Sequence, residues 1–226
     1  MCGRFTLTAE IETVAKRFGT PLPSDDWVSC APPRFNIAPT QNVVVVNDTG
    51  QRQLVHMRWG LIPSWAKDES IGNRMINARA ETLAEKPAFR AALKKRRCVI
   101  PADGFYEWQK LGKVKQPVRI VLKSREPFGF AGLWERWTAL KGEEILSCTI
   151  ITTEANDLLK AVHDRMPVIL TRDAEAAWLD PKIQEPEKLL PLLRQYPPNE
   201  MEFYLVSREV NSPSIDKPSI IEPLKQ

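Results

Sequence analysis

Cysteine at position 2 is where the sequence concentrates its chemistry. Aminopeptidases remove an initiator methionine that precedes a small side chain, and loss of Met1 from MCGRF leaves an N-terminal cysteine whose α-amine stands beside its thiol. In reference compounds the amine titrates at about 7.7–8.0 and the thiol at about 8.5, so both nucleophiles are partly deprotonated near neutral pH. Such a pair turns an aldehyde into a Schiff base on nitrogen, and addition of sulfur to the imine carbon then closes a thiazolidine ring. An internal cysteine cannot do this, because its nitrogen is an amide. Dehydration of the carbinolamine needs an acid, and taking a proton from amine or thiol needs a base. Glu107 in GFYEW and His163 in HDRMP carry side chains that can give and take protons, and Asn77 in INAR carries a neutral amide. Each also has a plain structural reading. Cys2 can be a small residue opening a strand, Glu107 the solvent-facing member of an alternating strand, His163 a hydrogen-bonded structural histidine, and Asn77 a turn residue. Taken singly, each fits the plain reading better.

Elements that would carry these residues follow from pattern. A short first strand leads to a helix capped by Thr8, with Glu10 and Glu12 at its positive end and Gly19 closing it. A proline-rich loop over 21–40 precedes a buried strand at Val43–Val46, and Asn47-Asp48-Thr49-Gly50 turns into a second strand ending near Trp59. Residues 59–82 are irregular, and a long loop of this kind in a compact domain is more often functional than not. A helix interrupted at Pro87 is expected over Glu81–Lys95. Strands follow at Cys98–Ile100, Phe105–Gln109, Val118–Leu122, Phe128–Leu133 and Ile145–Thr152, then helices at Ala174–Leu179 and Glu187–Leu193 and a last strand at Glu202–Val206. Strands and helices do not alternate, so the class is α+β: a single domain over residues 1–226 with a mainly antiparallel, barrel-like sheet core and peripheral helices.

Composition narrows the partners. A net charge of +4 permits a polyanion without requiring one. The four cysteines form no CxxC pair, and the two histidines, His56 and His163, lie far apart, so neither a zinc site nor any other metal or cofactor is expected. Cys98 and Cys148 sit in apolar strand-like runs and read as buried thiols. Lys94-Lys95-Arg96-Arg97 reads as a solvated helix end. No apolar run approaches twenty residues and the N-terminus has no apolar signal core, which points away from a membrane and toward a cytoplasmic protein, associated with the nucleoid in a bacterium. A reducing compartment keeps a thiol at position 2 available.

Six blocks occur in a fixed order: MCGRF at 1–5, RFNIAPT at 34–40, WGLIPSWAKD at 59–68, INARAET at 76–82, RCVIPADGFYEW at 97–108 and HDRMPVIL at 163–170. Together they resemble the SOS-response-associated peptidase (SRAP) family of abasic-site processing proteins. The resemblance implies a covalent sensor of abasic sites in single-stranded DNA, acting as a monomer in the DNA damage response. Cys2 would form the thiazolidine with the ring-opened sugar after Met1 is removed, and Asn77, Glu107 and His163 would be its catalytic companions. Arg4, Arg79 and Arg165 would grip phosphates, and Asn36, Pro39 and Trp65 would contact bases or act as a wedge. Autoproteolytic removal of Met1 and a lyase side activity at abasic sites also belong to what the resemblance implies. Only Met1 precedes Cys2, so no longer propeptide is expected.

Two other readings remain at this point. An N-terminal-nucleophile glutaminase also begins Met-Cys-Gly and uses the thiol against an amide, with the α-amine as base. A non-covalent nucleic-acid-binding module would need no Cys2 at all.

Overall fold

The computed structural model describes residues 2–139 and 141–224. In chain order its strands are β1 (Phe5–Leu7), β2 (Arg34–Ile37), β3 (Asn42–Asp48), β4 (Arg52–Trp59), β5 (Asn77–Arg79), β6 (Arg97–Ala102), β7 (Gly104–Leu111), β8 (Val114–Leu122), β9 (Phe128–Thr138), β10 (Glu144–Glu154), β11 (Arg165–Pro167), β12 (Ile169–Leu170) and β13 (Met201–Leu205). Helices are short and peripheral: α1 (Ile11–Phe18), α2 (Asp25–Ser29), α3 (Arg90–Lys95), α4 (Arg172–Leu179) and α5 (Pro186–Leu189).

Closure of one sheet explains the buried strands. β10 pairs with β4, β4 with β3, β3 with β6, β6 with β9, and β9 returns to β10. The ring is antiparallel except between β10 and β4. Residues on both faces of β3 are covered, which is why Val43–Val46 reads as an unbroken apolar run rather than an alternation. A second sheet runs β13-β8-β7-β1-β2, antiparallel throughout. Phe5 on β1 joins the two, meeting Trp59 edge-on at 5.2 Å and Phe130 at 5.8 Å. The fold is thus the expected α+β class with a mainly antiparallel, barrel-like core.

Helix α1 lies against this core through Ile11, Val14, Ala15 and Phe18, one apolar stripe at helical spacing. Gly19 ends it in the left-handed conformation, as expected. Thr8 does not cap it. The Thr8 amide and hydroxyl both donate to the Asp103 carboxylate, and the helix starts later, at Ile11. The helix expected over Glu81–Lys95 shrinks to α3: a 3-10 turn spans Ala80–Thr82, and Pro87, which lacks an amide proton, falls in the turns before Arg90. Likewise Pro191 stops the second late helix, leaving α5 and a 3-10 turn at Leu190–Leu192.

The irregular segment 59–82 is ordered by a backbone crossing. A Cβ on Gly60 would lie 2.6 Å from the Gly72 carbonyl oxygen, and Gly60 has φ of +130°. Only glycine allows that approach. The crossing folds the loop back so that β5 adds to the barrel beside β10.

Candidate active site

The last turns of β10 organise the site. β5 runs parallel along one edge, with Asn77 opposite Ile150 and Arg79 opposite Thr152. β11 runs antiparallel, with Arg165 opposite Glu154. Strand alternation puts Asn77 and Arg79 on one face and buries Ala78 on the other. Asn77 is half-buried and its Nδ2 donates to the Ile76 carbonyl at 3.0 Å. Its Oδ1 is buried with no hydrogen-bond partner among the described residues. An unmatched amide oxygen inside a protein costs free energy unless something fills it.

Glu107 arrives from the second sheet. β7 pairs with β1 through Phe105 and Phe5, and the Tyr106 amide donates to the Arg4 carbonyl at 3.0 Å, which extends the pairing toward Cys2. Glu107 is 4% exposed. The expectation of a solvent-facing strand residue therefore fails, because β7 is covered by the end of the barrel. Burial pushes the Glu107 carboxyl above the usual carboxylate range, and the His163 imidazole is close enough to oppose that shift. Cys2 is fully buried, with its Sγ 3.9 Å from the Arg4 carbonyl oxygen. Its burial and the neighbouring Glu107 charge both push the thiol up, so the resting sulfur is protonated and needs a base to react. The exposed aminothiol expected from sequence is not what the structure presents; the removal of Met1 concerns a residue outside the described ones.

His163 follows a 3-10 turn at Leu159–Ala161 and is about one-third exposed. Its Nδ1 accepts from the Arg165 amide at 3.0 Å, which leaves Nε2 to carry the proton of the neutral ring. Asp164 Oδ1 lies 2.7 Å from the same nitrogen, a contact that is attractive only for the protonated ring. The structure thus gathers Cys2, Glu107 and His163 into one electrostatic neighbourhood and places Asn77 on the β10 edge.

The candidate DNA contacts divide. Arg79 is exposed. Arg165 is held in a fork by Glu81, Nη1 to Oε1 and Nη2 to Oε2 both at 2.9 Å, and Nη2 also donates to the Thr152 carbonyl at 2.7 Å. Trp65 is 58% exposed on its loop. Pro39 is half-buried in the turn before Thr40, whose φ of 72° is unusual for a residue with a side chain. Arg4 and Asn36 lie elsewhere. Both are buried and joined, Arg4 Nη1 donating to Asn36 Oδ1 and to the Val210 carbonyl, each at 2.6 Å, and Nη2 to the Asn211 carbonyl at 3.1 Å. Asn36 Nδ2 donates to the carbonyls of Ser212 and Ile215.

Sequence reasoning missed Glu81 and Asp216. Glu81 sits inside the INARAET block two residues after Arg79, a charge pattern that could have flagged it. Asp216, which accepts from the Phe35 and Asn36 amides and from Arg34 Nε, had no such signal. A cavity of about 40 Å3 lined by Leu7, Cys30, Arg34, Val44 and His56 shares no residue with the site. Among the described residues no three His, Cys, Asp or Glu side chains gather to hold a metal ion, and no helix is long and apolar enough to cross a membrane.

Comparison with known proteins supplies relatives for this arrangement. The sequence profile described as SOS response associated peptidase (SRAP) matches residues 1–213. Abasic site processing protein YoqW of Bacillus subtilis is 50% identical over 226 residues, covering 98% of this chain and 99% of that protein. Abasic site processing protein HMCES of Gallus gallus is 34% identical over 202 residues, covering 79% of this chain and 60% of that protein. A crystal structure of a protein from Bacteroides thetaiotaomicron superimposes with a TM-score of 0.89 at 30% identity, covering 99% of this chain and all of that one.

Proposed function

Because the chain belongs to the SOS response associated peptidase (SRAP) family, we propose that it processes abasic sites in single-stranded DNA by capturing the sugar aldehyde covalently on Cys2. The observation that carries this reading is the buried Glu107 carboxyl, whose charge acts on the Cys2 thiol and which the His163 imidazole acts on in turn. The names of the relatives, abasic site processing proteins, supply the substrate class.

Removal of Met1 converts the Cys2 amide into an α-amine. The amine attacks the aldehyde carbon of the ring-opened sugar, and the carbinolamine loses water to give the protonated imine. Glu107, raised by burial and therefore carrying a proton at higher pH than a surface carboxyl, donates it to the departing hydroxyl. The resulting carboxylate takes the proton from the Cys2 thiol as sulfur adds to the imine carbon. One water leaves, two bonds form on one carbon, and Glu107 ends as it began. A buried thiol suits this order, since nitrogen reacts first and sulfur is delivered to a carbon already tethered beside it. His163, whose imidazole acts on the Glu107 charge, serves as the second acid–base group at the sugar oxygens and as the group for a lyase side reaction. The unmatched Asn77 Oδ1 accepts from the α-amine or a sugar hydroxyl.

Phosphates of the strand meet the exposed Arg79 first. Arg165 reaches a phosphate by exchanging it for Glu81, and Trp65 offers a face on which an unpaired base stacks at about 1–3 kcal/mol. Pro39 shapes the adjoining turn. We assign Arg4 and Asn36 to holding the N-terminal strand rather than to DNA. The same domain includes residues beyond 213, supported by Asp216 on β2 and the buried Ile220.

The experiment is a denaturing gel. Mature protein mixed with single-stranded DNA carrying one abasic site should give a species that survives hot detergent. Undamaged DNA should give none, and Cys2→Ala should abolish it. A Cys2→Ala protein that still formed the stable species would end the proposal, and binding without any stable species would leave a non-covalent module.

A further inference from the structure

Outside the candidate site, basic residues converge where α1 ends against α4. A concavity of about 260 Å3 is lined by Lys16, Arg17, Arg52, Arg172 and Glu175. Arg17 grips Glu175 in a fork, Nη1 to Oε2 at 2.8 Å and Nη2 to Oε1 at 2.9 Å, and both side chains are nearly buried. Arg172 and Arg52 also lie close enough for their charges to act on Glu175. Three guanidinium groups therefore surround one carboxylate.

The other anion nearby is Glu126, which pairs with Arg172 at 2.9 Å. That pair is more than 60% exposed on each side, so it contributes little and exchanges readily. Four cations thus face two carboxylates, a surplus of two positive charges. Part of this has a structural duty. Arg52 Nη1 donates to the Phe18 carbonyl at 3.3 Å, and Lys16 and Arg17 offset the negative end of α1. Helix compensation does not explain Arg172, which belongs to α4. Nor does it explain why Lys16, with no ion pair among the described residues, stands beside three arginines. Contrast the Lys94–Arg97 run: there Arg97 is buried, donating to the carbonyls of Leu93, Lys94, Trp178 and Asp180, and Arg96 pairs with Glu135.

We propose that this concavity is an anion site for a phosphate group, presented either by the DNA backbone away from the lesion or by a phosphate compound in solution. Arginine forks and a lysine point charge are the donors phosphate oxygens require, and the volume exceeds that of one phosphate. The reading does not depend on Cys2 chemistry.

The test uses the full chain and the double variant Lys16→Ala/Arg172→Ala, both exposed positions, so the fold is retained. In the first arm, sodium phosphate is compared with sodium chloride at equal ionic strength in thermal melts. Phosphate should raise the melting temperature of the parent, and the variant should lose that gain. In the second arm, single-stranded DNA with a stable abasic analogue is bound at several salt concentrations, as a short and as a long oligonucleotide. If the backbone is the source, the log–log salt slope of the long DNA should fall by about 0.7 in the variant, the loss of one phosphate contact on a single strand. The short-DNA slope and the Cys2 cross-linking rate on short DNA should stay unchanged. A response confined to the first arm assigns the site to a phosphate compound in solution. No response in either arm overturns the site, and loss of short-DNA cross-linking would count against the active-site reading instead.

Discussion

Arg4 and Arg79 hold the same place in their motifs, each two residues beyond a candidate catalytic side chain, yet they sit in opposite surroundings. Around Arg4 both terminal guanidinium nitrogens are matched. Its guanidinium, the Asn36 amide and the Asp216 carboxylate tie β1 and β2 to residues 210–216. Around Arg79 the matching stops. Asn77 Oδ1 is buried without a partner among the described residues, and Arg79 faces solvent. Satisfied buried polar groups hold a structure in one arrangement, whereas unsatisfied ones mark where a ligand completes the set. The clamp ties the N-terminal strand to residues 210–216, whereas under the proposed function the β10 edge is where a substrate would complete the set.

The largest break in that contrast should come from Glu107→Gln, which preserves shape and removes the proton carrier. Covalent capture should slow by about 10²–10⁴-fold, read from time courses on denaturing gels. The fold should respond in the other direction. Burial raises the Glu107 carboxyl, so the folded state binds its proton more tightly than the unfolded chain does. The associated stability is complete below the unfolded value of about 4.3 and is lost as pH rises through the folded value. The glutamine variant suffers no such loss. It should therefore melt higher than the parent at neutral pH, with the gap closing as pH approaches about 4. A variant that melts lower at neutral pH while capturing at the parental rate would remove both the burial cost and the acid–base role.

Arg4→Ala should come next, and it tests the clamp. Its loss strands the Asn36 amide and two backbone carbonyls, which should cost about 3 kcal/mol of stability in denaturant titration. The salt slope for binding DNA that carries a stable abasic analogue should stay at the parental value. A slope lowered by about 0.7 would instead place Arg4 on a phosphate.

How much of this was legible beforehand depended on whether a residue's partner lay nearby in the chain. The closed barrel follows from runs such as Val43–Val46, because burial on two faces leaves its mark in local composition. Buried Cys98 and Cys148 were readable for the same reason. The helices expected over Glu81–Lys95 and Glu187–Leu193 were overextended because apolar periodicity continued past Pro87 and Pro191, where backbone chemistry stops it. Arg4 illustrates the opposite limit: its partners are more than 200 positions away at Val210 and Asn211, and no spacing rule connects them. The plain alternative for Glu107, a solvent-facing position by strand alternation, failed because the side chain is buried. The pairing of Arg165 with Glu81, across 84 positions, needed β5 and β11 to share β10 first.

The smallest effect on the fold should belong to Arg79→Ala, and it sharpens the contrast from the other side. An exposed side chain without a matched partner contributes little to folding, so stability should change by no more than about 0.5 kcal/mol. Non-covalent affinity for single-stranded DNA should nevertheless fall, and the log–log salt slope should drop by about 0.7, the signature of one lost phosphate contact on a single strand. Capture at saturating DNA should keep the parental rate, because Cys2 and Glu107 are untouched. Arg165→Ala should behave differently: it unpairs Glu81 and the Thr152 carbonyl, so it should lose stability as well as affinity. If Arg79→Ala destabilised the fold as much as Arg4→Ala does, the division between a satisfied clamp and an unsatisfied rim would not hold. Two arginines at the same motif spacing would then be doing the same work.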